Sequence, residues 1–197
     1  MPVYHQYKLV FVHIPKTAGT SVEHVLGSCE LLASVKNYER GVCPQHYYLS
    51  EILELYPNIS SFRRFTIVRN PFDRLVSAYH NNLKFYWSKG LSFDEFVEKG
   101  LNLDYKSRRF IFDGHLDPQV KYLDANLSVS IFKFERLHVL TEYLSKAINR
   151  LVFLPKINDS IRKETISYYN QGSTVDLVRK FYQEDFENFV YEVDPPA

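Results

Sequence analysis

The chain has 197 residues, 45% of them apolar, and a formal net charge of +1. That length builds one sizeable core and is short for two, so a single domain over residues 1–197 is expected. A charge so near zero predicts no general polyanion binder and no nucleic-acid partner, because phosphate affinity needs clustered Lys and Arg. Cys29 and Cys43 form neither a CxxC pair nor a zinc spacing, and the N-terminus MPVYHQYK has no signal-peptide core. No apolar run approaches the ~20 residues that cross a bilayer, so a soluble, cytoplasmic protein without a membrane span is expected.

KLVFVHI, residues 8–14, is a short run of branched and aromatic residues and reads as a buried strand. After the turn PKTAG, apolar residues recur at helical spacing through Val22, Val25, Leu26, Cys29, Leu32 and Ala33. A second helix is predicted over about 47–56, with Leu49, Ile52, Leu53 and Tyr56 on one side and Pro57 closing it. RFTIVR, residues 64–69, repeats the strand pattern and again runs into a helix, with Asn70 as cap, Pro71 at the first helical position and Leu75, Val76, Tyr79 and Leu83 as the stripe.

SFDEFVEKG, residues 92–100, predicts a short helix with a Ser92–Glu95 capping box and a stop at Gly100. Residues 101–128 carry no clear pattern. SVSIFKF, residues 128–134, is a third strand, followed by a helix through Leu137, Leu140, Leu144 and Ile148. A last helix is expected from about Thr174 to Phe189, opened by Ser173 and Asp176 as a capping box. Strands separated by helices imply βαβ crossovers, hence an α/β fold with a central parallel sheet flanked by helices.

In such a sheet, ligands sit beyond the carboxyl ends of the strands. The first strand ends at PKTAGTS. There Gly19 lets backbone approach a ligand, Thr20 and Ser21 offer hydroxyl and N–H groups at a helix N-terminus, and Lys16 adds a mobile charge. These residues suit a terminal phosphate or sulfate; equally, Thr20 or Ser21 is a simple cap and Lys16 a solvated turn residue. The second strand ends at Arg69, which can grip a phosphate bidentately or pair with Asp73. Ser77 lies two helical turns after Asn70 and could face the same anion. Two such units suit a nucleoside phosphorylated at both ends.

"VHIPKTAGTS" resembles the 5′-phosphosulfate motif, and "TIVRNPFDRLVSAY" the 3′-phosphate motif, of sulfotransferases that use 3′-phosphoadenosine 5′-phosphosulfate. The chain looks like the carbohydrate sulfotransferases of the Golgi type, including the heparan sulfate 2-O and 6-O enzymes, and their small bacterial relatives. Weaker resemblance continues through "HLDPQVKYL", "IFKFERL" and "RKFYQEDFENFVY". It implies a P-loop-NTPase-like three-layer fold, and it assigns Lys16, Thr17, Ala18, Gly19, Thr20 and Ser21 to the 5′ end of the donor and Arg69 and Ser77 to its 3′-phosphate. The family's histidine base, placed between the motifs, is matched by His46 in "CPQHYYLSEI". The activity implied is transfer of the sulfuryl group to a hydroxyl of an acceptor, expected to be a carbohydrate, with His46 as base and Lys16 assisting the leaving group.

Among the other histidines, His13 reads as a structural or supporting residue of the first loop and His115 as the second choice for the base. His24, His80 and His138 fall within helices, and His5 is near a terminus. No HExxH, carboxylate cluster or Cys/His set points to a metal, and sulfuryl transfer does not need one. Arg108 and Arg109, with Lys106, form a basic run that either meets an anionic acceptor or, more simply, lies on a solvated face. Phe134, Glu135 and Arg136 are placed by position for the adenine. Two other functions fit the same strand–loop–helix pattern: a P-loop kinase, which would need GK[ST] where this chain has its lysine before the glycine, and a non-catalytic nucleotide-binding module.

Overall fold

The computed structural model describes residues 3–27, 42–83, 89–157 and 163–196. Its contacts divide the chain into two compact units, Met1–Val68 with Lys121–Asn158, and Arg69–Val120 with Asp159–Ala197. Cys29, Leu32 and Ala33 lie outside the described residues, as does part of the loop around LPKINDS.

The first unit holds a four-stranded sheet, β1 (Val3–Tyr4), β2 (Leu9–Val12), β3 (Arg63–Val68) and β4 (Ser130–Lys133), in that spatial order. β2, β3 and β4 are parallel, paired through Phe11 with Phe65 and Thr66 with Ile131. β1 is antiparallel to β2, so the sheet is mostly rather than wholly parallel. The architecture is α/β with helices flanking this sheet, consistent with the P-loop-like fold expected. β2 is buried along its whole length. Helix α1 (Gly19–Leu26) follows it, and α2 (Leu49–Leu55) precedes β3. After β4 comes a helix over Leu137–Ile148. Val22 and Leu26 of α1, Leu140 and Leu144 of that last helix, and Leu9, Phe11, Phe65 and Ile67 of the strands share one core. Fully burying each such side chain contributes about 1.5–3 kcal/mol.

The second unit is helical: α3 (Pro71–Asn82), α4 (Phe93–Leu101), α5 (Tyr105–Ile111), then, numbering the Leu137–Ile148 helix of the first unit as α6, α7 (Gly172–Phe181) and α8 (Gln183–Phe189). Asn70 caps α3 by accepting from the Phe72 N–H at 2.9 Å, with Pro71 in the first turn. Ser92 and Glu95 form the reciprocal capping box at α4. Phe72, Leu75 and Val76 of α3 join Phe96, Phe112, Val178, Tyr182 and Phe186 in the core.

Three expectations are corrected here. Gly100 does not end α4: it sits inside the helix, where a Cβ would fall 2.8 Å from Leu116 Cδ1. No capping box at Ser173 and Asp176 opens α7, which starts two residues earlier than expected, at Gly172, without a side-chain cap, and the expected single helix breaks at Tyr182. The Tyr182 hydroxyl donates to the Leu116 carbonyl at 2.9 Å, which fixes its ring in the core at the break. Finally, Arg108 and Arg109 are not a solvated face. Both are buried beside Asp117, itself inaccessible, and Arg109 Nη1 reaches Asp117 Oδ2 at 3.1 Å while the Arg108 guanidinium lies over the Phe181 ring at 4.7 Å. Paired and stacked, these cations are tolerated inside, where unpaired charges are not.

Candidate active site

In the first unit the loop from β2 to α1 carries the first motif. β2 ends where the Ile14 N–H turns back to the Val12 carbonyl at 3.1 Å, and the Thr17 hydroxyl donates to the Ile14 carbonyl at 2.8 Å. Thr66 of β3 braces the same strand end by donating to the Val12 carbonyl at 2.7 Å. Lys16 and Ala18 both take left-handed backbone, φ 71° and 73°. Neither is glycine, and each such conformation costs about 1–2 kcal/mol, so the surrounding bonds impose a shape the residues would not choose. Ala18 then stands as N-cap of α1, accepting from Ser21 and Val22. The N–H groups of Gly19 and Thr20 head the first turn, where a helix has no acceptor of its own for them. Lys16 is half-buried, Thr17, Gly19 and Ser21 are buried, and Thr20 is exposed.

His13 sits beneath this turn. Its Nδ1 lies 2.7 Å from Glu23 Oε1, one turn into α1. Burial pushes the imidazole down to about 4, against the pull of Glu23, so it is neutral at pH 7 with Nδ1–H donating to the carboxylate. Burial pushes Glu23 upward and is the largest single influence, yet the bond from His13 and the neighbouring positive charges together outweigh it and the carboxyl sits below its ordinary value. A Cβ on Gly19 would fall 2.0 Å from His13 Nε2. Glycine is required at this position so that the histidine ring can fit.

His46 belongs to the same unit. It ends a single 3-10 turn, Pro44–His46, just before α2, and is buried. Its ring meets that of His13 at 5.2 Å between centroids and 86° between planes. The Gln45 side-chain nitrogen lies 3.3 Å from His46 Nε2. Proximity of His46 to the first motif, which the sequence could place only by order along the chain, is thus mediated by His13.

In the second unit Arg69 is buried and its guanidinium binds Asp73, Nη2 at 2.8 Å and Nε at 3.2 Å from Oδ2. Asp73 also accepts from the Thr165 hydroxyl. Ser77, half-buried, lies one turn beyond Asp73 on the same face of α3. The Arg69 peptide is clasped by one side-chain amide: Gln119 Oε1 accepts from the Arg69 N–H at 2.9 Å, and Gln119 Nε2 donates to the Arg69 carbonyl at 2.9 Å. Gln119 is in turn fixed by Asp185, whose two oxygens accept from the N–H groups of Gln119 and Val120 at 2.8 and 2.9 Å. Residue-level reading missed Gln119, Asp117 and Asp185. The signal was the "HLDPQ" and "RKFYQEDFENFVY" resemblance, which named the segments without giving these residues a task.

A profile described as the sulfotransferase family matches residues 2–192. The chain belongs to the sulfotransferase family. Among characterised proteins it is similar to carbohydrate sulfotransferase 10 of Gallus gallus, 25% identical over 234 aligned positions that cover 95% of this chain. The chain spans 65% of that relative's length. No solved structure matches it significantly. The likeness corrects the expectation of a cytoplasmic protein: a carbohydrate sulfotransferase falls in the Golgi-type class that the motifs resemble, and that class typically works outside the cytoplasm. Among the described residues no helix is long and apolar enough to cross a membrane.

Proposed function

We propose that the chain transfers the sulfuryl group of 3′-phosphoadenosine 5′-phosphosulfate to a hydroxyl of a carbohydrate acceptor by in-line displacement. The observation that carries this reading is the β2–α1 loop, bent by left-handed Lys16 and Ala18 into the first turn of α1, with the neutral His13 joining that turn to His46. The N–H groups of Gly19 and Thr20 and the hydroxyls of Thr20 and Ser21 suit the 5′-phosphosulfate, as anions suit a helix N-terminus. Arg69 and Ser77 are assigned the 3′-phosphate, on the strength of the second motif.

In this reading the acceptor oxygen bonds to sulfur as the bond from sulfur to the 5′-phosphate oxygen breaks. His46 takes the hydroxyl proton. Lys16 and the first-turn N–H groups stabilise the charge that grows on the departing oxygen. Adenosine 3′,5′-bisphosphate leaves with that oxygen. The family match over 2–192 supports treating the two units as one catalytic domain.

Thermal shift separates this reading from nucleotide binding of the kinase type. Adenosine 3′,5′-bisphosphate at 100 times its dissociation constant should stabilise the protein by about 2.7 kcal/mol, with ATP plus magnesium giving much less. Stabilisation by ATP and magnesium without any by the bisphosphate overturns the proposal.

A further inference from the structure

We propose that His13 is a positioning residue for the transfer reaction: one imidazole, anchored by Glu23, sets the orientation of His46 and holds the first turn of α1 in place. The inference rests on the reading above and deepens it.

Three contacts of one side chain carry it. The Nδ1–H of His13 donates to Glu23 Oε1 at 2.7 Å, which ties the ring to α1. Its Nε2 side occupies the space where any residue but glycine at 19 would place its Cβ, so the turn bearing the Gly19 and Thr20 N–H groups packs directly on the ring. Its π-system meets the His46 ring nearly perpendicular, at 5.2 Å, an arrangement that aromatic pairs prefer and that fixes the tilt of both. Phe11 stacks against His13 at 5.4 Å and 17°, which closes off rotation.

A purely space-filling role would be served better by a leucine. Burying an imidazole requires a hydrogen-bond partner and keeps the ring from its charged form, whereas an apolar side chain of similar volume needs neither. What leucine cannot supply is a planar ring held in one orientation by a carboxylate. Glu23 serves here as the group that fixes tautomer and orientation; the proton transfer remains with His46.

The test uses the full chain and the substitutions His13→Leu, Glu23→Ala and Glu23→Gln. For sulfate transfer, His13→Leu and Glu23→Ala should each lower kcat roughly 10- to 100-fold, the scale on which misplaced catalytic groups lose rate, with the donor KM within about threefold. Glu23→Gln keeps an oxygen acceptor for Nδ1–H and should restore kcat to within about threefold of wild type. The double variant should be no slower than either single one. Equal loss in kcat and thermal stability across all variants, or a His13→Leu enzyme of wild-type kcat, overturns the proposal.

A second readout needs no turnover. Long-range proton–nitrogen spectra of the imidazoles should show His13 as a single Nδ1–H tautomer and His46 with one set of ring signals. His13→Leu and Glu23→Ala should each shift and broaden the His46 signals relative to wild type. Unchanged His46 signals in both variants overturn positioning. If the wild-type chain transfers no sulfate while these spectra behave as expected, it is the assigned reaction that fails and the positioning that stands.

Discussion

Arg69 and Asp73, one helical turn apart, are joined through two N–H groups on a single carboxylate oxygen, Nη2 at 2.8 Å and Nε at 3.2 Å from Oδ2. An anion bound at Arg69 therefore competes with a carboxylate already in place. Asp73→Asn removes that competitor's charge. Affinity for adenosine 3′,5′-bisphosphate, measured by calorimetry, should rise about 3- to 10-fold. Because Asp73 is partly exposed while Arg69 is buried, stability should fall by about 1 kcal/mol, well short of the loss for a fully buried pair. Unchanged affinity would show that Arg69 does not hold the 3′-phosphate.

Gln119 satisfies both polar groups of the Arg69 peptide in a buried setting. Gln119→Ala leaves a donor and an acceptor unmet, each costing about 1–3 kcal/mol, so unfolding in urea should show a loss of about 2 kcal/mol or more. The donor KM should rise with it, since the peptide that carries the guanidinium is no longer clamped. A variant with full stability would mean that Gln119 does not satisfy the Arg69 peptide.

Acid should act on His13. Its folded value of about 4 lies below the ordinary 6.5, so between these limits the unfolded chain binds a proton that the folded chain does not. Stability from this group is intact above pH 6.5 and is lost as pH falls toward 4, by on the order of 3 kcal/mol. Melting temperatures of wild type and His13→Leu across pH 4–7 give the difference directly: the wild-type curve should drop more steeply on the acid side. Parallel curves would mean that His13 is protonated in the fold.

Much of the frame was legible because its signals are local. β2 and the buried end of β3 are runs of branched and aromatic residues, Asn70 with Pro71 is a local helix-start signal, and Ser92 with Glu95 closes its own box. β1 escaped notice because two residues carry no period; it exists through its pairing with β2. The loop residues Lys16 to Ser21 were identified by motif, but the left-handed backbone at Lys16 and Ala18 is imposed by Thr17 and the strand end and has no residue signature. Gly19 was read as letting backbone approach a ligand, and nothing in the sequence signalled that a Cβ there would also strike the His13 ring. Gln119 meets Arg69 across 50 positions and Asp185 across 66, and no spacing rule reaches that far. Arg108 and Arg109 looked solvated because burial of a cation depends on its partner, here Asp117 and the Phe181 ring.

His46 is proposed to take the acceptor's proton in a sulfuryl transfer supported by the β2–α1 loop. The most direct measurement of that role is the rate of labelled sulfate transfer from 3′-phosphoadenosine 5′-phosphosulfate by His46→Ala, with bisphosphate affinity determined in parallel. Turnover should fall about 100-fold or more, with affinity within about threefold of wild type. Turnover at the wild-type rate would contradict that role.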